Sequence, residues 1–106
     1  MRTDRFKRFE LLLLMKCNDR TEIERAKFDQ TTGELSERFA GLSQDLVRVH
    51  GFWRSGGKSY HDKLLRIRID SNDAKATAFF KAHKEILEER FQQLDIWITA
   101  HEIEII

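Results

Sequence analysis

From Phe9 to Cys17 the chain is apolar on both alternating positions, with Phe9, Leu11, Leu13 and Met15 on one side and Leu12 and Leu14 on the other. A strand with that pattern is covered on two faces and belongs at the centre of a sheet. The polar turn Asn18-Asp19-Arg20 closes it. Thr21, with Glu24 three residues on, forms a capping box, and Phe28, Thr32, Leu35, Phe39 and Leu42 then recur at helical spacing. Ile23 falls on the opposite side of that wheel, so the first turn is irregular or Ile23 meets another surface. Gly41 fits a helix stop.

A hairpin follows. Leu46–Trp53 and Tyr60–Ile69 flank Ser55-Gly56-Gly57-Lys58, and a Gly-Gly pair supplies the two positive φ angles of a type I′ turn. That turn sets Trp53 opposite Tyr60 and Phe52 opposite His61. Along the second arm Lys63, Leu65, Ile67 and Ile69 alternate with Asp62, Leu64, Arg66, Arg68 and Asp70, the period of a strand. Ser71-Asn72-Asp73 then offers three N-caps to a helix with Ala76, Phe79, Phe80, His83, Ile86, Leu87 and Phe91 on or near one stripe. Asp95 to Ile106 alternates again and reads as a terminal strand, bent near Ala100 and His101.

Strand, helix, strand, strand, helix, strand predicts an α+β domain of the ferredoxin-like βαββαβ type. Its four-stranded antiparallel sheet takes the order 4-1-3-2, with two helices on one face. Residues 1–106 form this single domain, with 1–8 expected as a loosely ordered start. If Leu13, Ile67 and Ile98 face the helices, the opposite face collects Leu12, Leu14, Leu64, Arg66, Arg68, Trp97, Thr99 and His101. That set is too apolar for water and too polar for a core, and such a patch usually meets a partner. The expected partner is a second copy in a homodimer packed through the sheet face. A cavity between the sheets, lined by Arg66, Arg68, Trp97, Thr99 and His101, is the expected ligand site. The competing reading is that the arginine stems simply lie over exposed Leu and Trp.

Composition adds limits. The chain has 106 residues, 41% apolar and 35% charged, which implies a heavily solvated surface. The longest wholly apolar run, Leu11 to Met15, is too short for a bilayer span or a secretory core, so no membrane partner is expected. A lone Cys17 cannot form an internal disulfide and reads as a packed thiol in a reducing cytoplasm.

The net charge of +1 hides an uneven distribution. Residues 48–68 hold Arg48, Arg54, Lys58, Lys63, Arg66 and Arg68 against Asp62 alone, whereas 85–106 hold Glu85, Glu88, Glu89, Asp95, Glu102 and Glu104 against Arg90. A basic hairpin interleaved with Phe52, Trp53 and Tyr60 has the makings of a single-strand nucleic-acid grip. However, an RNA-recognition sheet carries aromatics at the middle of its central strands, where this chain has Leu12, Leu14, Arg66 and Arg68. Nucleic acid is therefore the lesser expectation, and the hairpin charges are expected to pair with acidic segments of the same chain or its mate.

Signals for catalysis are sparse. Gly56-Gly57-Lys58-Ser59 lacks the upstream glycine and the following helix of a phosphate-binding loop. His50, His61, His83 and His101 show no spacing that puts two metal ligands on one helix face, so no metal site is assigned and no cofactor is expected. His83 reads as a hydrogen-bonded core histidine. His101, and secondarily Asp62, are the candidates for proton transfer. Arg38-Phe39-Ala40-Gly41-Leu42-Ser43, Gly51-Phe52-Trp53, Tyr60-His61-Asp62 and Arg90-Phe91-Gln92-Gln93 together resemble a small bacterial domain family of unknown function with a ferredoxin-like βαββαβ pattern. The chain departs from that pattern at Ala40, where glycine is favoured, and at Ser43, where threonine is favoured. The resemblance implies the fold and leaves the activity open. It also points to Gly41, Ser43, Gly51, Trp53, Asp62 and Gln93 as residues framing a pocket, with turn, packing and capping roles as the alternative. Two readings result: a homodimeric module that binds a small ligand or a protein, or a small enzyme. The enzyme would be of the dimeric ferredoxin-like type or an RNA-directed nuclease using the hairpin.

Overall fold

A computed structural model describes residues 4–16, 21–53 and 58–106. Its elements are β1 (Asp4–Leu14), α1 (Arg25–Arg38), β2 (Ser43–Trp53), β3 (Lys58–Ser71), α2 (Ala76–Phe91) and β4 (Trp97–Ile105). The strands form one sheet in the order β2-β3-β1-β4, each neighbour antiparallel. Read from the other edge this is 4-1-3-2, the ferredoxin-like order.

Alternation along the two central strands decides where the core sits. Phe9, Leu11 and Leu13 of β1 stand opposite Ile69, Ile67 and Leu65 of β3, and all six are buried. Onto this face α1 brings Phe28, Thr31 and Leu35, and α2 brings Ala76, Phe80, His83, Leu87 and Phe91. Rings meet in pairs: Phe9 stacks on Phe80 at 4.5 Å, Phe39 on Phe80 at 5.2 Å, and Phe28 packs on Phe91 at 5.0 Å. Such pairs add about 0.5–1.5 kcal/mol each beyond simple area burial. The other parity of β1, Glu10, Leu12 and Leu14, is only half-buried within one chain. The expected burial of β1 on both faces is therefore met on the helix side alone.

Several boundaries differ from the sequence reading. Residues 4–8, expected to be loose, are the start of β1, held by β4 with Arg5 opposite Glu104 and Lys7 opposite Glu102; opposite charges facing across strands favour that pairing. Cys17 and the turn 18–20 lie outside the described residues. The capping box does not start α1. The helix begins at Arg25 with Glu24 at its N-cap and no side-chain cap. Ahead of it the Ile23 amide donates to the Met15 carbonyl at 3.1 Å and Lys16 bridges Glu22, so this segment runs back along the end of β1. Ile23 reaches the core from there, which is why it misses the helical wheel.

The end of α1 also differs. The helix stops at Arg38, and Phe39 turns extended to carry its ring into the core. Gly41 lies beyond and does not take a left-handed backbone, so it is not the helix stop. A left-handed cap does occur at the end of α2, on Gln92, with φ 53° and ψ 46°. Thr31, not Thr32, occupies the buried stripe of α1, because Phe28, Thr31 and Leu35 keep the three-then-four spacing.

In the hairpin the pairing is shifted by two residues from expectation. Trp53 stands opposite Lys58, Gly51 opposite Tyr60, and His50 opposite His61. The proposed Gly-Gly turn falls at 54–57, outside the described residues. In β4 the register with β1 runs unbroken from Trp97 to Ile105. What changes near Ala100 is which side is apolar: Ile98 packs against the core, whereas Ile103 and Ile105 share the parity of Trp97.

Candidate functional site

The sheet face away from the helices is ordered in rows by strand register. Val47, Leu64 and Leu14 form one row; Asp45, Arg66, Leu12 and Trp97 the next; then Ser43, Arg68, Glu10 and Thr99; then Asp70, Arg8 and His101. Arg66, Arg68, Trp97, Thr99 and His101 thus share one face. It has an apolar end and a polar end. At the apolar end Leu64 is only 8% exposed although it stands outside the helix-side core, whereas Trp97 is 62% exposed and Leu94, just before β4, is 92% exposed.

The arginines of this face are paired within the chain. Arg66 forks onto Asp45 through two hydrogen bonds of 3.0 and 2.6 Å, and Arg8 onto Asp70 through two of 2.8 and 3.0 Å. Among the described residues Arg68 donates only its Nε, to Glu10 at 2.9 Å. These bonds lower Asp45 below the usual carboxylate range and raise Arg66 and Arg8 above the usual guanidinium range. Planar forks of this kind match carboxylate geometry. Asp70 already shared the parity of Arg66 and Arg68 in the sequence, whereas sequence reasoning missed Asp45, Glu10 and Arg8. The parity of residues 4–10 and 43–45 carries them, but only once both segments are read as strand.

The remaining candidates are spread out. Asp62 is half-buried in β3 opposite Val49, and His101 is exposed on β4 opposite Arg8. Because Arg8 faces Asp70, the two lie eight residues apart along the strand direction, about 26 Å at about 3.3 Å per residue. They do not form one centre. Gln93 is buried, and its side-chain amide donates to the Leu14 carbonyl at 3.1 Å, tying the α2–β4 connection to the end of β1. Trp53 ends β2 opposite Lys58. Gly41 and Ser43 do meet, with Arg8, Leu42, Arg68 and Asp70, around an open pocket of about 360 Å³ at the polar corner of the face; Asp62 borders a different hollow with Arg48, Val49, His50 and Lys63. Among the described residues no group of three His, Cys, Asp or Glu is placed to hold a metal ion.

A second polar cluster lies in the seam between the helices. Arg90 of α2 donates to Thr31 at 2.8 Å and to both carboxylate oxygens of Glu34 at 2.7 and 2.8 Å. The Thr31 hydroxyl donates in turn to the Lys27 carbonyl at 2.8 Å. Arg90 holds the Glu34 carboxyl below its ordinary range. His83 stacks on Phe79 at 5.0 Å, with Nε2 3.3 Å from Glu34 Oε1 but off the hydrogen-bonding direction. Burial pushes its imidazole below the usual range, and Glu34 only partly offsets this.

No protein-family model matches the chain, and no curated protein does. Its fold is found in solved structures. One is a phage SAM lyase in complex with S-methyl-5′-thioadenosine, at TM-score 0.69 and 13% identity, covering 94% of this chain and 88% of that one. Another is the GlnK–ATP complex of B. subtilis, at TM-score 0.58 and 17% identity, covering 93% of this chain and 82% of that one. At such identities the likeness shows the fold alone. Among the described residues no helix is long and apolar enough to cross a membrane.

Proposed function

We propose that this chain is a homodimeric small-molecule-binding module whose two copies meet through the open sheet face. The observation that carries the reading is that face itself: Leu12, Leu14, Val47 and Leu64 adjoin a largely exposed Trp97, while the charges beside them are already matched in the chain. A second copy related by a two-fold axis presents the same apolar end to itself. It meets no uncompensated arginine, so the like-charge cost that would oppose packing is small. Covering the face also completes the burial that the apolar sequence of β1 asks for. A cytoplasmic setting fits the lone cysteine.

The ligand class is supported by the fold neighbours. S-methyl-5′-thioadenosine and ATP, named with those two structures, share an adenine nucleoside. On the edge strand β4, Trp97 offers a ring for such a base to stack on in a cavity between the two sheets, and base–aromatic stacking is worth about 1–3 kcal/mol. Calorimetric titration with S-methyl-5′-thioadenosine and with ATP is the test. Saturable binding that Trp97→Ala abolishes is expected. Absence of binding by either compound overturns the ligand class, and a strictly monomeric chain overturns the assembly.

A further inference from the structure

We infer that the corner pocket beside Gly41 is an oxyanion site, which receives the phosphate group of a ligand on Arg68, Ser43 and the loop between α1 and β2. The inference deepens the ligand-binding reading and rests on it. Arg68 spends only its Nε on Glu10; among the described residues its two terminal nitrogens take no hydrogen bond. Ser43 stands directly opposite Arg68 in the strand register, at the exposed edge of the sheet, with its hydroxyl likewise uncommitted. The amides of Gly41 and Leu42, which line the same pocket, form no hydrogen bond among the described residues. Arg68, Ser43, Gly41 and Leu42 all line one pocket of about 360 Å³.

Charge and shape allow this. The two guanidiniums at the pocket are balanced by Asp70 on Arg8 and by Glu10 on the Nε of Arg68, so what Arg68 offers an anion is the donors of its terminal nitrogens rather than a net charge. Asp70 is held in two hydrogen bonds from Arg8, which blunts its repulsion of an incoming anion. Gly41 is required neither by its backbone angle nor by packing, since a Cβ there meets nothing within 4 Å. Its missing side chain leaves the pocket wall open for close approach of a tetrahedral group. The polar corner also lies at the rim of the face, away from the apolar end that a second copy covers.

The test is a titration of the full chain with inorganic phosphate, followed by amide NMR shifts, with chloride at matched ionic strength as the control. Saturable shifts centred on residues 40–43 with phosphate and not with chloride are expected. Arg68→Gln should weaken binding about tenfold, the loss of one charge-assisted hydrogen bond. Gly41→Leu, which adds bulk at the pocket wall where a Cβ meets nothing within 4 Å, should abolish the saturable shifts while thermal melting stays close to wild type. Arg48→Gln, remote from the corner, should change nothing. Shifts that stay linear, or that saturate equally in Arg68→Gln and Gly41→Leu, overturn the site. Sedimentation of the same samples keeps the two claims apart: a dimer that ignores phosphate sinks the pocket alone, and a monomer that binds it sinks the assembly alone.

Discussion

Arg90→Met removes the guanidinium from the seam between the helices while keeping most of the side-chain stem. Three hydrogen bonds are lost, two of them to the carboxylate of Glu34. At about 1.5–3 kcal/mol for each bond to a charged group, the two alone would reach about 3–6 kcal/mol in a dry interior. Arg90 is 11% exposed but Glu34 is 35% exposed, so the carboxylate regains water once its partner leaves. Relief of the guanidinium's own desolvation offsets a further part. The expected loss is about 2–3 kcal/mol, or a fall in Tm of roughly 8–12 °C for a domain of this size.

Urea denaturation near neutral pH, with Glu34→Gln and the double variant completing the cycle, measures it. A coupling energy of at least about 1 kcal/mol is expected. The pH dependence has a definite sign. Because Arg90 lowers the Glu34 pKa from its ordinary 4.5, the stability it confers is present above that value and is lost as pH falls through the native value. The gap between wild type and Arg90→Met should therefore narrow in acid. A destabilisation below about 0.5 kcal/mol at neutral pH, the level of an exposed ion pair, would refute the reasoning.

Gln92 is held in the left-handed region at the end of α2, where a side chain costs about 1 kcal/mol; Gln92→Gly should raise stability by up to about that amount in chemical denaturation, and a loss would contradict the cap assignment. Gly33 lies inside α1 with open space where a Cβ would go, so Gly33→Ala should stabilise by roughly 0.5–1 kcal/mol, read in the same way. Burial lowers the His83 pKa from 6.5, so the unfolded chain takes up a proton that the folded chain resists and stability falls as pH drops below about 6.5. His83→Phe should remove that part of the slope and leave the Glu34 loss below about 4.5 in place; an NMR titration of His83 with a midpoint at or above 6.5 would contradict this.

The βαββαβ succession of elements was enough for the strand order, and periodicity for the core parity of β1 and β3 and most of the α2 stripe, since Leu11, Ile67, Leu87 and Phe91 are buried as their spacing requires; on α1 it placed only Phe28 and Leu35. It failed where two local signals competed. Thr21 and Glu24 form a capping box, yet backbone pairing of Ile23 with Met15 keeps that segment extended. Gly41 resembles a helix stop, but burial of Phe39 ends α1 earlier. The shared face of Arg66, Arg68, Trp97, Thr99 and His101 was legible because strand parity is a local property. Their partners were not. Asp45 and Glu10 reach Arg66 and Arg68 only through the register of three strands, and register depends on strand ends that alternation leaves open by a few residues. The same limit shifted the hairpin pairs by two.

Self-association through the open face is the central claim, and sedimentation of the full chain across a concentration series into the high micromolar range tests it most directly. The account predicts a species of twice the 12.6 kDa chain mass, dissociated by Leu12→Glu and by Trp97→Glu but not by Ile86→Glu on the outer surface of α2. A monomer at every concentration, or a dimer indifferent to both open-face substitutions, would contradict it.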